Sequence, residues 1–229
     1  MRRTSRSIRR PTRACIALAV STAATFAAGC APPFATLQSA RTVPPGRVEL
    51  TPSYSAVSVT SDGDTRHYEN IYGVQLAVGI TVESEFRFAY ARVDLDPGSG
   101  VNVLGFGPKL MVVPDHVAVY IPAGFAFNDD FGEGFYEDFG AMDTWQLQPT
   151  LLVTARLHEN VEIDPSTKFI LPLSNGGDAQ IALNLGFGLS SDLDLWVLRP
   201  EIGFLVNPGA LDDGFHSSYS IAVSFTPPR

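Results

Sequence analysis

The chain has 229 residues, of which 45% are hydrophobic, and its 16 basic and 24 acidic residues give a net charge of -8. The first 29 residues hold six arginines and no acid, so the rest of the chain has ten basic against 24 acidic residues, which excludes nucleic acid as an expected partner. Lys109 and Lys168 are the only lysines, which indicates little water-facing surface, yet no apolar run of 18 residues follows the leader, which excludes a helical membrane protein.

Residues 1–29 are predicted to be a signal peptide. Their arginines precede an uncharged stretch, Ala14 to Ala28, that is too short to span a bilayer. The pair Arg9-Arg10 leaves the twin-arginine route open beside general secretion, although Pro11 follows the pair.

The end of the leader, Ala27-Ala28-Gly29-Cys30, resembles the lipobox of bacterial lipoproteins. This resemblance implies acylation of Cys30 and makes the lipoprotein-processing machinery a partner. The alternative is ordinary cleavage after an Ala-x-Ala site, which would leave Cys30 as a free thiol. Residues 30–46 contain four prolines among small residues, and we expect them to form an extended tether between the lipid and the fold.

Residues 47–226 alternate between apolar and polar side chains, with turn residues every 12 to 15 positions, and this predicts an all-β domain. Ten strands are expected at about 47–60, 70–82, 85–95, 101–113, 116–128, 144–157, 161–173, 179–190, 193–207 and 217–226. Eight strands with two short extra segments are the alternative. Seven prolines inside these strands predict bulges or local breaks: Pro52, Pro108, Pro122, Pro149, Pro165, Pro172 and Pro200.

The predicted connections alternate between two kinds. Roomy ones are expected at 61–69, 96–100, 129–143, 174–178 and 208–216, and tight ones at 84, 114–115, 158–160 and 191–192. This layout is typical of an up-and-down transmembrane barrel with short periplasmic turns, long outer loops and both termini on the periplasmic side.

The two faces of the predicted strands differ in size. One face carries bulky apolar residues, among them Tyr72, Leu76, Phe88, Phe125, Phe127, Leu183, Leu185, Phe187 and Tyr219. The other carries every strand glycine: Gly73, Gly79, Gly105, Gly107, Gly124, Gly186, Gly188 and Gly203. Because space is short inside a narrow barrel, we expect the glycine face inside and the bulky face against lipid.

Over residues 43 to 226 the sequence resembles small bacterial outer-membrane β-barrel proteins. Its last strand, Tyr219-x-Ile221-x-Val223-x-Phe225, is similar to the signal that the barrel assembly machinery recognises, although four residues follow the aromatic end. The resemblance implies residence in the outer membrane as a lipid-anchored barrel, with outer-membrane lipid and that machinery as partners.

Eleven charges fall on the predicted inner face and nearly neutralise one another: Arg47, Glu49, Glu85, Arg87, Lys109, Arg156, Glu162, Asp164, Lys168, Arg199 and Glu201. The hairpin at Glu159 predicts an ion pair between Arg156 and Glu162. We interpret this network first as structural, and a narrow pore or proton path is the alternative.

The loop from Asn128 to Asp143 is acidic. Its weak candidates for divalent cations are Asp129, Asp130, Glu133, Glu137 and Asp138, but their spacing does not match a calcium loop, so no metal site and no cofactor is predicted. A solvated acidic loop is the preferred interpretation.

Two function classes compete, a structural or surface-binding envelope protein with a filled lumen and a narrow channel for ions or small solutes. Ten strands enclose little more than eight, so size favours the first. A rim hydrolase or acyltransferase is a remote third. It would use His216, Ser217 and Ser218 with Asp212, Asp213 and His67, without any family motif, so we expect no enzyme.

Overall fold

The structure is a computed structural model that describes residues 34–95, 99–127, 145–173, 178–209 and 214–228. Within them the chain forms thirteen antiparallel strand segments. Their bounds are β1 Val48–Ser61, β2 Asp64–Gly79, β3 Ser84–Leu95, β4 Ser99–Val113, β5 Val117–Tyr120, β6 Ala123–Phe127, β7 Trp145–Leu147, β8 Thr150–Val153, β9 Ala155–His158, β10 Val161–Pro172, β11 Gln180–Leu189, β12 Trp196–Val206 and β13 Phe215–Phe225.

The thirteen segments make a closed barrel of ten wall strands, as predicted. β5 and β6 both pair with β4 and are two parts of one strand. β7, β8 and β9 all pair with β10 and are three parts of the next. β13 pairs with β1 and closes the sheet.

Prolines mark two of the breaks in these strands. Pro122 separates β5 from β6, and Pro149 separates β7 from β8, which confirms the expectation of local breaks at these positions. Hydrogen bonds still cross the gaps, since Gln148 N donates to Pro122 O at 2.9 Å and Phe169 N donates to Pro149 O at 2.9 Å. Pro52, Pro108, Pro165 and Pro200 instead lie inside continuous strands.

The predicted alternation of connection lengths is partly wrong. β1 and β2 run on to a two-residue turn at Asp62-Gly63, where a roomy loop over 61–69 was expected. Both turn residues have positive φ, 54° and 84°, the geometry of the tight turn that fits the twist of paired strands. Only three residues join β3 to β4, where a roomy loop over 96–100 was expected. Conversely, the connection between β11 and β12, expected to be a tight turn at 191–192, spans 190–195.

The facing prediction is confirmed along the strands. Leu183 and Leu185 are 52% and 43% exposed on the outside, whereas Ala182 and Asn184, which alternate with them, are buried on the inside. Phe125 and Phe127 are exceptions, because both are buried rather than open to lipid. Phe125 packs on Trp145, with ring centroids 4.9 Å apart.

In the described parts of the chain, no helix is long and apolar enough to cross a membrane.

Candidate functional site

The interior of the barrel holds the N-terminal segment of the fold. We call residues 34–44 the lumen segment; its members Phe34, Leu37, Ala40 and Val43 are all buried. The expected tether over residues 30–46 is therefore wrong from residue 34 onward. The tether was predicted from the prolines and small residues of this stretch. In the structure its backbone groups form hydrogen bonds with the barrel wall, whereas those of a solvated linker would be hydrogen-bonded to water.

The lumen segment leaves the lumen at the turn end, where it continues into β1. We define the turn end as the end of the barrel with the connections 80–83, 114–116, 159–160 and 190–195. There Gly46 N donates to Gly79 O at 2.9 Å. A Cβ on Gly79 would collide with the carbonyl oxygens of Val43 and Pro44, so this glycine makes room for the end of the lumen segment. The opposite end, which carries the 17-residue connection 128–144, is the loop end.

Carboxylates on the wall hold the amides of the lumen segment. Glu201 accepts hydrogen bonds from Thr36 N at 2.7 Å and Leu37 N at 2.8 Å, and Leu37 has a left-handed φ of 53°. Glu85 accepts from Val43 N at 2.6 Å. Hydrogen bonds between backbone amides and an ionised acceptor are the strong class, so the acids of the wall anchor the segment.

Cations and amides on the wall bind its carbonyl groups. Lys109 Nζ donates to Arg41 O at 2.6 Å, Lys168 Nζ to Ala35 O at 3.1 Å, and Asn184 Nδ2 to Phe34 O at 3.0 Å. Most of the anchoring contacts are thus made to the backbone of the segment rather than to its side chains.

One charge cluster centres on Glu85, which is fully buried. Its Oε1 lies 2.5 Å from Arg87 Nε and 3.1 Å from Lys109 Nζ. Arg87 also pairs with Glu49 at 2.9 Å. Two carboxylates therefore face two cations, the balance that buried charges require.

A second cluster joins Glu162 and Asp164 to Arg199. Arg199 Nη1 lies 3.2 Å from Glu162 and 3.1 Å from Asp164. Arg41 of the lumen segment adds a 2.8 Å ion pair to Glu162. Sequence reasoning missed Arg41 because it lay in the assumed tether, although the apolar Phe34, Leu37 and Val43 around it could have signalled a buried segment.

The predicted pair of Arg156 with Glu162 is wrong in its contact although right in its register. The two residues are cross-strand partners in β9 and β10. Arg156 is nevertheless exposed, and its guanidinium donates to Glu159 O at 3.1 Å. Arg41 and Arg199 form the ion pairs with Glu162 instead, although Arg156 lines the same cavity at the turn end.

Of the remaining predicted lumen charges, Arg47 lies outside the charge network, whereas Lys168 and Glu201 are buried inside the barrel. Arg47 lies at the turn end and donates to Thr226 O and Pro227 O, each at 2.8 Å, so it ties the two ends of the barrel chain together rather than joining the network. Glu69, which was not predicted, is buried on the inner face of β2. With Arg41 and Glu69 in place of Arg47 and Arg156, the network contains six acids and five cations among the residues that the structure describes.

The lumen is apolar toward the loop end. Phe34 is buried among residues from most of the wall strands, which we call the apolar ring: Val57, Ile71, Ala91, Val93, Val103, Ile170, Ala182 and Leu205. The ring of Phe34 lies against Gly203, where an added Cβ would come within 3.1 Å of it. Apart from Glu69, which lies beside Val57, the charged layer thus fills the turn half of the lumen, and the apolar ring closes the other half.

Two cavities flank the lumen segment. One of about 90 Å³ lies beside residues 35–38 and is lined also by Ser53, Ser55 and Gln75. The other, of about 510 Å³, opens at the turn end beside Arg41, Glu162 and Arg199, and we call it the vestibule.

Several predicted site residues lie outside the described residues, namely Cys30, the loop acids Asp129, Asp130, Glu133, Glu137 and Asp138, and Asp212 and Asp213. Of the histidines, His67 and His216 flank β1 on opposite sides, and no hydrogen bond among the described residues joins either one to Ser217 or Ser218. No group of three metal-ligating side chains occurs in the part of the chain that the structure describes.

No protein-family model matches the chain, and no curated protein matches its sequence. Solved structures with a similar fold include an outer-membrane channel from Pseudomonas putida F1, with 10% identity, 82% of this chain and 97% of that chain covered, and a TM-score of 0.48. The N-terminal β-barrel domain of OprF from Pseudomonas aeruginosa has 10% identity, coverages of 80% and 98%, and a TM-score of 0.35. Ail, the attachment invasion locus protein of Yersinia pestis, has 9% identity, coverages of 80% and 99%, and a TM-score of 0.37. The chain itself is a closed antiparallel barrel of ten wall strands with an apolar outer face.

Proposed function

We propose that the chain is an outer-membrane β-barrel lipoprotein, closed at rest, with a structural or surface-binding role through its loops. The observation that supports this proposal is the occupied lumen. The lumen segment is bonded to the wall from Phe34 to Val43, and the apolar ring surrounds Phe34. A protein that conducted solutes constitutively would need a water path in place of this packing.

Conductance tests the closed state directly. The full chain, purified after export and placed in planar bilayers with KCl on both sides, should show no stable ohmic steps. Steps in the unmodified protein would contradict the closed barrel and would favour the narrow channel. Fractionation of cells should recover the protein with the outer membrane, and recovery as a soluble periplasmic protein would contradict the location.

The lipid anchor has its own test. We propose acylation at Cys30 because the residue follows a leader that resembles a lipoprotein signal. Labelled fatty acid should enter the exported wild-type protein and should be lost in Cys30→Ser. Equal label in the variant would contradict lipidation at this residue and would leave the barrel itself unaffected.

The surface-binding part rests on the acidic loop of the sequence. We propose that its carboxylates attract divalent cations, which then bridge the loop to anionic lipid. Calorimetric titration of the detergent-solubilised protein with calcium chloride should give heat that a variant with amides at Asp129, Asp130, Glu133, Glu137 and Asp138 lacks. Equal heats would contradict the bridging role.

A further inference from the structure

We propose that the barrel contains a closed cation path in which Phe34 is the stopper and Glu69 is the carboxylate at the loop end. This goes beyond the closed barrel of the proposed function, because it assigns an activity to the lumen once Phe34 leaves the apolar ring. Four observations on the described residues carry the proposal: an unpartnered acid, a stripe of hydroxyl groups, the sign of the lumen charge and the place of Phe34.

Glu69 has no structural role that the contacts explain. Its side chain is 1% exposed, and neither carboxylate oxygen has a hydrogen-bond partner. Its neighbours on the inner face are Val57 across the ladder and Ile71 along the strand, both members of the apolar ring. Burying an unpaired carboxylate is costly, so a residue retained only for packing would be apolar here. Acidic side chains at a constriction are the groups that cation pathways use.

Hydroxyl groups lead from the level of Glu69 toward the turn end. β1 and β13 are adjacent, and their inner faces carry Thr51, Ser53, Ser55, Ser218, Ser220 and Ser224, which we call the hydroxyl stripe. Ser218 lies opposite Val57, which in turn lies opposite Glu69. The hydroxyl oxygens of Ser218 and Ser220 are buried without a partner. Such groups are satisfied when water enters, and they are poorly suited to a permanently dry core.

The stripe connects the two cavities to the acid. Ser53 and Ser55 line the cavity of about 90 Å³ beside the lumen segment. Thr51 and Ser224 share a 2.9 Å hydrogen bond nearer the turn end, where Ser224 also contacts Arg199 at the edge of the vestibule. The polar surface therefore runs from the vestibule to the apolar ring, and Phe34 occupies the ring itself.

The net charge of the lumen determines whether the path would favour cations or anions. Among the described residues, the charges counted here are the buried ones together with Glu49 and Arg41, which pair with them. They comprise six acids and five cations: Glu49, Glu69, Glu85, Glu162, Asp164 and Glu201 against Arg41, Arg87, Lys109, Lys168 and Arg199. Glu69 supplies the excess, and it is the one acid of the six at the apolar ring. A water path through this ring would therefore favour cations over anions.

The experiment compares Phe34→Ser with Phe34→Leu in planar bilayers under a KCl gradient. Serine removes the apolar stopper and admits water to the ring, whereas leucine keeps the ring filled. Heat-modifiable gel mobility establishes that each variant is folded. The serine variant should show steps whose reversal potential indicates preference for potassium, while the leucine variant and the wild type should be silent. Val57→Ser, beside Glu69, gives a second opening of the ring if the Phe34 variant does not fold.

The role of Glu69 is tested in the opened variant. Adding Glu69→Gln should shift the reversal potential toward zero and reduce the conductance, because the charge at the ring is lost. A silent Phe34→Ser together with a silent Val57→Ser would overturn the stopper, and an unchanged reversal potential in Glu69→Gln would overturn the carboxylate. Steps in the wild type would instead contradict the closed barrel of the proposed function, so the two failures are distinguishable.

Discussion

Arg41 gives the sharpest test of the lumen segment, since a tether and an inserted segment predict opposite behaviour for its side chain. In the structure Arg41 Nη2 lies 2.8 Å from Glu162 Oε2, and the Glu162 side chain is 1% exposed. Arg156, the partner expected from strand register alone, is exposed, and its guanidinium donates to a carbonyl group of its own turn. Replacing Arg41 and Arg156 separately by alanine therefore compares a lumen contact with a surface residue.

The expected loss of stability depends on the contacts that Glu162 keeps after Arg41 is replaced. A hydrogen bond to a charged group contributes about 1.5–3 kcal/mol. The Arg41 side chain is 20% exposed and Arg199 still pairs with Glu162 at 3.2 Å, so the loss stays below the roughly 3–5 kcal/mol of an orphaned buried charge. We expect a coupling free energy of about 1–2 kcal/mol between Arg41 and Glu162. Arg156→Ala should change the free energy of unfolding by less than about 0.5 kcal/mol.

The assay is a double-mutant cycle of urea unfolding in lipid vesicles. Arg41→Ala, Glu162→Ala and the double variant are compared with the wild type, and Arg156→Ala with Glu162→Ala provides the matched control cycle. Additivity of Arg41→Ala and Glu162→Ala within about 0.3–0.5 kcal/mol would refute the insertion of Arg41 into the lumen.

Three further changes test the wall. Gly107→Ala should destabilise the barrel by about 1–3 kcal/mol in the same unfolding assay, because its Cβ would meet the backbone of Ile121 and Pro122; Gly105→Ala, whose nearest atom is 3.8 Å away, should be tolerated, and equal effects would contradict the close strand approach. Leu185→Arg should cost about 2–4 kcal/mol in folding into lipid vesicles, since the side chain faces outward, and a change near zero would contradict lipid contact. Gly63→Ala should cost about 1 kcal/mol of stability because its φ is 84°, and a stabilised variant would contradict the tight turn.

The strands and their faces could be predicted because both are local properties. Alternation places Leu183 and Leu185 on one side and Asn184 on the other whatever the rest of the chain does. Crowding then places glycines inside, and an added Cβ at Gly203 would indeed meet Asn184, Ser218 and Phe34. Asp62-Gly63 is also a residue pair typical of a tight hairpin turn, and the loop predicted over 61–69 is longer than the turn that forms there.

The candidate site depended on contacts that local pattern does not encode. Cross-strand register put Arg156 opposite Glu162, and that register is correct, yet register does not decide which cation reaches a carboxylate from inside a barrel. Arg41 does so from a segment more than a hundred residues away in sequence.

The sequence by itself determined an all-β chain, ten wall strands, the inner and outer faces, and most members of the charge network. The tertiary structure alone decided that residues 34–44 fill the lumen. The reason is that this segment has no alternation of apolar and polar residues that would fix its position locally. Its backbone amides and carbonyl groups are instead hydrogen-bonded by side chains of the wall, namely Glu201, Glu85, Lys109 and Asn184. Those partners come together only after the barrel closes, so the place of the segment is a property of the closed barrel.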